Sequence, residues 1–174
     1  MPDQGGNVGK ALVDLARRTI HTFVLENRKC EPSKGTMEGG KAGVFVSIKK
    51  HNQLRGCIGT LSPVTEDVFH EVIENAISAA TRDPRFPPVT AEELDELEIS
   101  VDVLSSPEPV RDITFLDPSR FGVIVKSGGM TGVLLPDLDG IESAEDQVSI
   151  ARRKAGIAQD KPVELFRFEV KRYT

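Results

Sequence analysis

The first segment with chemical potential in this sequence is Leu54 to Gly59, which reads LRGCIG. It sets a cation, a thiol and two glycines inside a strand-like run, where glycine is intrinsically unfavourable. In extended geometry Arg55, Cys57 and Gly59 project to one side, and Leu54, Gly56 and Ile58 to the other. Alternate residues of a strand stand roughly 7 Å apart. If both side chains face a crevice, the fixed charge of Arg55 favours the thiolate of Cys57. In that arrangement Arg55 orients an anion, Cys57 is a nucleophile, and amides beside Gly56 and Gly59 receive a developing oxyanion. The bland reading is that a free cysteine fills space as a small apolar residue, while strand glycines mark bulges or tight packing. Residue types alone leave both open.

Asp83 to Pro88 reads DPRFPP. Its prolines pre-order the backbone and lower the entropy cost of presenting Asp83, Arg85 and Phe86 to a ligand. The same residues also have structural uses: Asp83 can pair with Arg85 or Arg55, and Phe86 can plug a core. Other motif-like stretches fail on chemistry. Gly35 to Ala42 (GTMEGGKA) has phosphate-loop spacing, but Ala42 has no hydroxyl for magnesium and a strand follows instead of a helix. Asp137, Asp139 and Gly140 lack the third acidic position and the register of a calcium loop. The two cysteines, Cys30 and Cys57, and the scattered His21, His51 and His70 show no zinc-ligand spacing. No resident metal or cofactor is expected, and no histidine can be assigned to Cys57 as a base.

The elements that must position these segments follow from periodicity. Lys10 to Asn27 carries apolar residues at helical spacing, after a glycine-rich leader over residues 1–8. Val44, Val46 and Ile48 alternate with polar neighbours, and His51-Asn52 turns the chain into the Leu54–Leu61 run, a hairpin. Pro63 suits a helix start, and a single apolar stripe from Val68 to Ala80 continues that helix to Thr81. Thr90 and Glu93 form a capping box for a short helix over Ala91–Leu97. A strand over Ile99–Val103 is ended by Pro107 and Pro109. Phe121–Val125 and Thr131–Leu135 make a second hairpin, Ser143 and Gly156 bracket a helix, and Phe166, Phe168 and Val170 alternate in a final strand. Helices and hairpins are intermixed without strand-helix alternation, which predicts an α+β fold with a mostly antiparallel sheet and flanking helices.

The chain has 174 residues, enough for one domain with its own core, here residues 9–174. The net charge of −5 argues against a nucleic-acid binder, since such affinity comes mostly from neutralising phosphates. Arg152, Arg153 and Lys154 fan around a helix and do not form one basic face. No apolar run reaches the roughly 20 residues of a spanning helix and no secretion signal is present, so a cytoplasmic protein is expected.

Taken together, GVFVS (Gly43–Ser47), LRGCIG, DPRFPP, Glu93-Leu94, the strand at Ile99 to Leu104 and LLP (Leu134–Pro136) resemble the AMMECR-type domain of the bacterial and archaeal AmmeMemoRadiSam system protein A. The resemblance runs from about Gly9 to Tyr173. It implies a two-lobed fold with both termini in the larger lobe and a cleft between the lobes near the hexapeptide. That cleft is the expected site for a small anionic or nucleotide-like ligand. It further implies a shared pathway with a Memo-like dioxygenase-type protein and a radical S-adenosylmethionine protein, either as an enzyme using Cys57 or as a non-catalytic adaptor. The sequence departs from eukaryotic relatives at Glu145, Asp146 and Gln147, where they carry a Trp-Asp pair. It departs from many relatives at Phe121, where they carry Tyr, so no role of that indole or phenol hydroxyl carries over.

Overall fold

The computed structural model describes residues 4–32 and 40–174, with the side chains of residues 4–7 left aside. The chain divides into two compact units. One comprises Met1–Val103 with Lys171–Thr174, and the other Leu104–Val170, so both termini fall in the larger unit.

In the larger unit, β1 (Val44–Lys50) pairs antiparallel with β2 (Gln53–Thr60) on one side and β3 (Leu97–Leu104) on the other. The inward face of β1 is Val44, Val46 and Ile48, all fully buried. Against it pack α1 (Gln4–Glu26) and α2 (Val68–Thr81), whose apolar stripes include Leu12, Ala16, Ile20, Val72, Ala76 and Ile77. The turn between β1 and β2 holds His51 and Asn52 at positive φ, a conformation that asparagine tolerates better than most residues.

Two boundaries differ from expectation. Helix α1 begins at Gln4, inside the stretch assigned to a leader; residues 1–3 of that leader lie outside the described residues. Near this end a Cβ on Gly9 would fall 2.0 Å from the Tyr173 ring, so this glycine lets the ring lie against the helix. Helix α2 starts at Val68 and not after Pro63. Its N-cap is Asp67, whose carboxylate accepts the Phe69 and His70 amides. The intervening loop is tied to Glu71, a buried carboxylate that accepts the amides of Val64 (3.0 Å) and Thr65 (2.9 Å) and the hydroxyls of Thr60 and Thr65. Burial pushes this carboxyl upward, but these donors outweigh it and hold it below the ordinary glutamate range.

The smaller unit orders its strands β6 (Met130–Leu134), β5 (Phe121–Ser127), β7 (Glu164–Tyr173) and β4 (Glu108–Val110), all antiparallel. Strand β4 sits where Pro107 and Pro109 were expected to end strand structure. A three-residue strand that among the described residues pairs only with β7 tolerates proline, because it needs few ladder donors. Helix α3 (Ala144–Ala155), capped by Ser143 and by Gly156 at φ 69°, covers this sheet through Val148 and Ala151. The fold is α+β with antiparallel pairing throughout the described ladders, as the intermixed pattern predicts. No helix among the described residues is long and apolar enough to cross a membrane.

Candidate functional site

The LRGCIG segment lies in β2, whose register with β1 pairs Cys57 with Ser47 and Gly56 with Ile48, then slips. Lys49 pairs with Leu54, which leaves Arg55 as the extra residue of a bulge. The bulge breaks the strict alternation that would stack Arg55 over Cys57. Its guanidinium instead closes a fork on Glu93, with Nε to Oε1 and Nη2 to Oε2 both at 2.9 Å. It also donates to the carbonyls of Pro87 (2.9 Å) and Pro88 (3.2 Å). Both ionic side chains are less than a fifth exposed. The Arg55 guanidinium holds the Glu93 carboxyl down to about 2, with the Thr90 amide adding to the effect. Arg55 is thus the brace that ties the bulge of β2 to the proline segment and to the short 3-10 helix over Ala91–Glu96.

The two glycines have equally local causes. A Cβ on Gly56 would stand 2.3 Å from the carbonyl oxygen of Ala79, so this glycine lets the backbone of α2 reach the strand. A Cβ on Gly59 would stand 2.2 Å from the ring of Phe45. On the side where each Cβ would project, the chain's own atoms make the close approach.

Asp83 and Arg85 sit at the edge of β2, which among the described residues pairs only with β1. Oδ2 of Asp83 accepts the Cys57 amide at 2.9 Å, while Nη2 of Arg85 reaches the Cys57 carbonyl at 3.3 Å. The pair is joined by Nε to Oδ1 (3.0 Å) and Nη2 to Oδ2 (2.7 Å). These two side chains therefore satisfy the main-chain groups of Cys57 in place of another strand, which blunts the edge. Asp83 is nearly fully buried. The Arg85 guanidinium beside it, helped by the Cys57 amide, holds its carboxyl far below the ordinary aspartate range. Phe86 is half-buried, with the Arg85 guanidinium 5.4 Å from its ring centroid.

Cys57 itself is half-buried, and its Sγ shares a hydrogen bond with Ser47 Oγ at 3.1 Å. Ser47 also lines a cavity of about 190 Å³ together with Lys49, Leu54, Ser100 and Arg172. Thus Asp83 and Arg85 are brought onto Cys57, whereas Arg55 is committed elsewhere. Ser47 was missed because its contact with Cys57 depends on strand register, although its hydroxyl on the outward face of β1 was the available signal.

A second cluster lies at the start of α2. Nδ1 of His70 is 2.9 Å from Asp67 Oδ1, and its Nε2 is 3.1 Å from Glu66 Oε1. Their possible ligand atoms lie within 4.8 Å of one another. Asp67 raises the His70 pKa, so protonated His70 contributes stability that is complete below the ordinary value near 6.5 and is lost as pH rises through the folded value. Asp67→Asn should move the His70 titration back toward that ordinary value in an NMR pH series; an unchanged titration would contradict this assignment.

The AMMECR1 family model matches residues 13–173. The chain belongs to the AMMECR1 family. A protein of Thermotoga maritima is 48% identical to it, over 92% of this chain and 95% of that one. A longer protein of Clostridium acetobutylicum is 42% identical over 92% of this chain and 35% of its own length. The crystal structure of an uncharacterized protein from Pyrococcus horikoshii superposes with a TM-score of 0.87 at 33% identity, covering 96% of this chain and 91% of that one. For this AMMECR1 member, LRGCIG and DPRFPP are adjoining parts of one hydrogen-bonded assembly.

Proposed function

We propose that this chain is a non-catalytic binding module, and that LRGCIG and DPRFPP form the internal frame of its larger unit. The observation that supports this reading is the commitment of the motif's polar groups. Arg55 is spent on Glu93 and two carbonyls, and Asp83 on Arg85 and the Cys57 amide. An oxyanion site needs donors aimed at where charge will develop, and the Arg55 guanidinium and the Cys57 amide already have acceptors. The partners suggested by the family resemblance are a Memo-like dioxygenase-type protein and a radical S-adenosylmethionine protein. Two cysteines cannot ligate a four-cysteine cluster, so in this reading the radical chemistry belongs to a partner.

One observation favours a second reading. Cys57 is only half-buried, and its neighbour Ser47 opens on a cavity that Lys49 and Arg172 also line. In this reading a small anionic or nucleotide-like ligand enters beside Lys49 and Arg172, past Glu98, and Cys57 reaches it across Ser47 as the nucleophile.

Iodoacetamide labelling of the Cys30→Ser protein separates the two. The module reading expects Cys57 to react no faster than a free cysteine and to label completely on unfolding. Labelling faster than free cysteine, and slowed by Arg85→Gln or Ser47→Ala, would overturn it in favour of the second. Co-expression with each partner should retain at least one of them through purification; retention of neither would end the adaptor reading.

A further inference from the structure

The smaller unit contains a cavity of about 350 Å³ that no sequence motif marks, lined among others by Ser105, Glu108, Arg120, Phe121, Arg167 and Glu169. Its volume is in the range of small-molecule sites. In its lining two guanidiniums stand against one aromatic ring. The Cζ of Arg167 is 4.3 Å, and that of Arg120 4.8 Å, from the Phe121 centroid. Both distances are inside the range of attraction between a cation and a ring quadrupole.

The backbone that carries the ring is itself fixed. The Phe121 amide donates to the Asp117 carbonyl at 2.7 Å, and its carbonyl accepts from Nε2 of Gln147, a fully buried side chain, at 2.8 Å. Arg167 is further held by Nη1 to the Phe115 carbonyl at 3.0 Å. Strand register brings the cluster together, since β7 faces β5 with Glu169 opposite Phe121 and faces β4 with Arg167 opposite Glu108.

The carboxylates that accompany these cations lie toward solvent. Glu108 meets Arg167 at 3.3 Å, and Glu169 accepts from Nε (2.9 Å) and Nη2 (2.8 Å) of Arg120, with both glutamates more than half exposed. Exposed pairs of this kind contribute little to stability. An incoming oxyanion therefore displaces them at little cost, while the guanidiniums remain aligned by the ring, by Phe115 and by the strand register.

We infer that this cavity is an oxyanion-binding site, in which Arg120 and Arg167, aligned by Phe121, hold the carboxylate or phosphate of a small ligand. The inference is independent of how Cys57 is read. It concerns different residues and would survive the loss of either proposed function.

The test is an NMR titration of the arginine Nε–H resonances with inorganic phosphate and, separately, with succinate, each at constant ionic strength maintained with sodium chloride. Saturable shifts of both Arg120 and Arg167 with either probe are expected, and the probe that binds more tightly identifies which oxyanion the site takes. Arg120→Gln and Arg167→Gln should each weaken binding at least about tenfold, the scale of losing one charge-assisted hydrogen bond. Arg120 is two-thirds exposed, so its variant carries the test if the Arg167 variant does not fold. Non-saturating shifts with both probes, or equal affinity in wild type and Arg120→Gln, would overturn the assignment.

Discussion

Gly56→Ala is expected to destabilise this protein by about 3 kcal/mol, at the upper end of the cost of overpacking a core. The added methyl would lie 2.3 Å from the Ala79 carbonyl oxygen, and what it meets is helix backbone, which cannot rotate away as a side chain does. To admit it, α2 must move off β2, and that disturbs Ala76, Ile77 and Ala80, which are all buried in the same core. The same device recurs in the smaller unit, where a Cβ on Gly132 would be 2.0 Å from the Ala151 carbonyl of α3. Urea denaturation of Gly56→Ala, read with Gly128→Ala as a comparison, checks the argument. Gly128 has open space around it and its cost comes from a φ of 58°, so it isolates backbone strain from collision. A Gly56→Ala protein as stable as wild type would show that the glycine is not there to admit the helix.

Arg55→Met should cost about 2–3 kcal/mol, because it keeps most of the aliphatic stem but leaves Glu93 and the Pro87 and Pro88 carbonyls without their donor. The variant should also change how stability depends on pH. In the wild type Glu93 titrates at about 2 when folded, against an ordinary value near 4.5. A depressed carboxyl contributes stability that is fully present above its unfolded value. That contribution fades as pH falls from about 4.5 toward 2. Without Arg55 most of the depression should vanish, so the stability difference between wild type and Arg55→Met should shrink across that interval. Asp83 keeps its partner Arg85 in the variant and so supplies an internal reference for the remaining acid sensitivity. Equilibrium unfolding at pH 7, 4.5, 3.5 and 2.5 would show this, and a gap that stays constant with pH would remove Arg55 as the cause of the Glu93 shift.

Much of the framework was legible before any coordinates. The stripe from Val68 to Ala80, the alternation of Val44, Val46 and Ile48, and the Ser143 and Gly156 caps each announce an element, because a helix period or a strand period records which face must leave water. The pairing of Thr90 with Glu93 was also visible, as its two ends lie three residues apart. What Arg55 does was not. A two-residue period places it with Cys57, but the slip at Ile48/Lys49 belongs to the pairing of two strands and leaves no mark in either alone. Asp83 was a candidate for Arg85 or Arg55, and the choice depends on where the proline segment meets the edge of β2.

By itself the sequence determined the order and kind of the elements apart from β4, the α+β class and the family, since these rest on local periods, caps and uninterrupted motifs. Only the tertiary structure decided that Gly56 exists for α2, that Arg55 belongs to Glu93, that Asp83 and Arg85 cover Cys57, and that Arg120 and Arg167 converge on Phe121. Each of these depends on groups far apart in the chain arriving within a few ångströms of each other. That proximity is set by strand register and helix docking, and residue type carries no record of it.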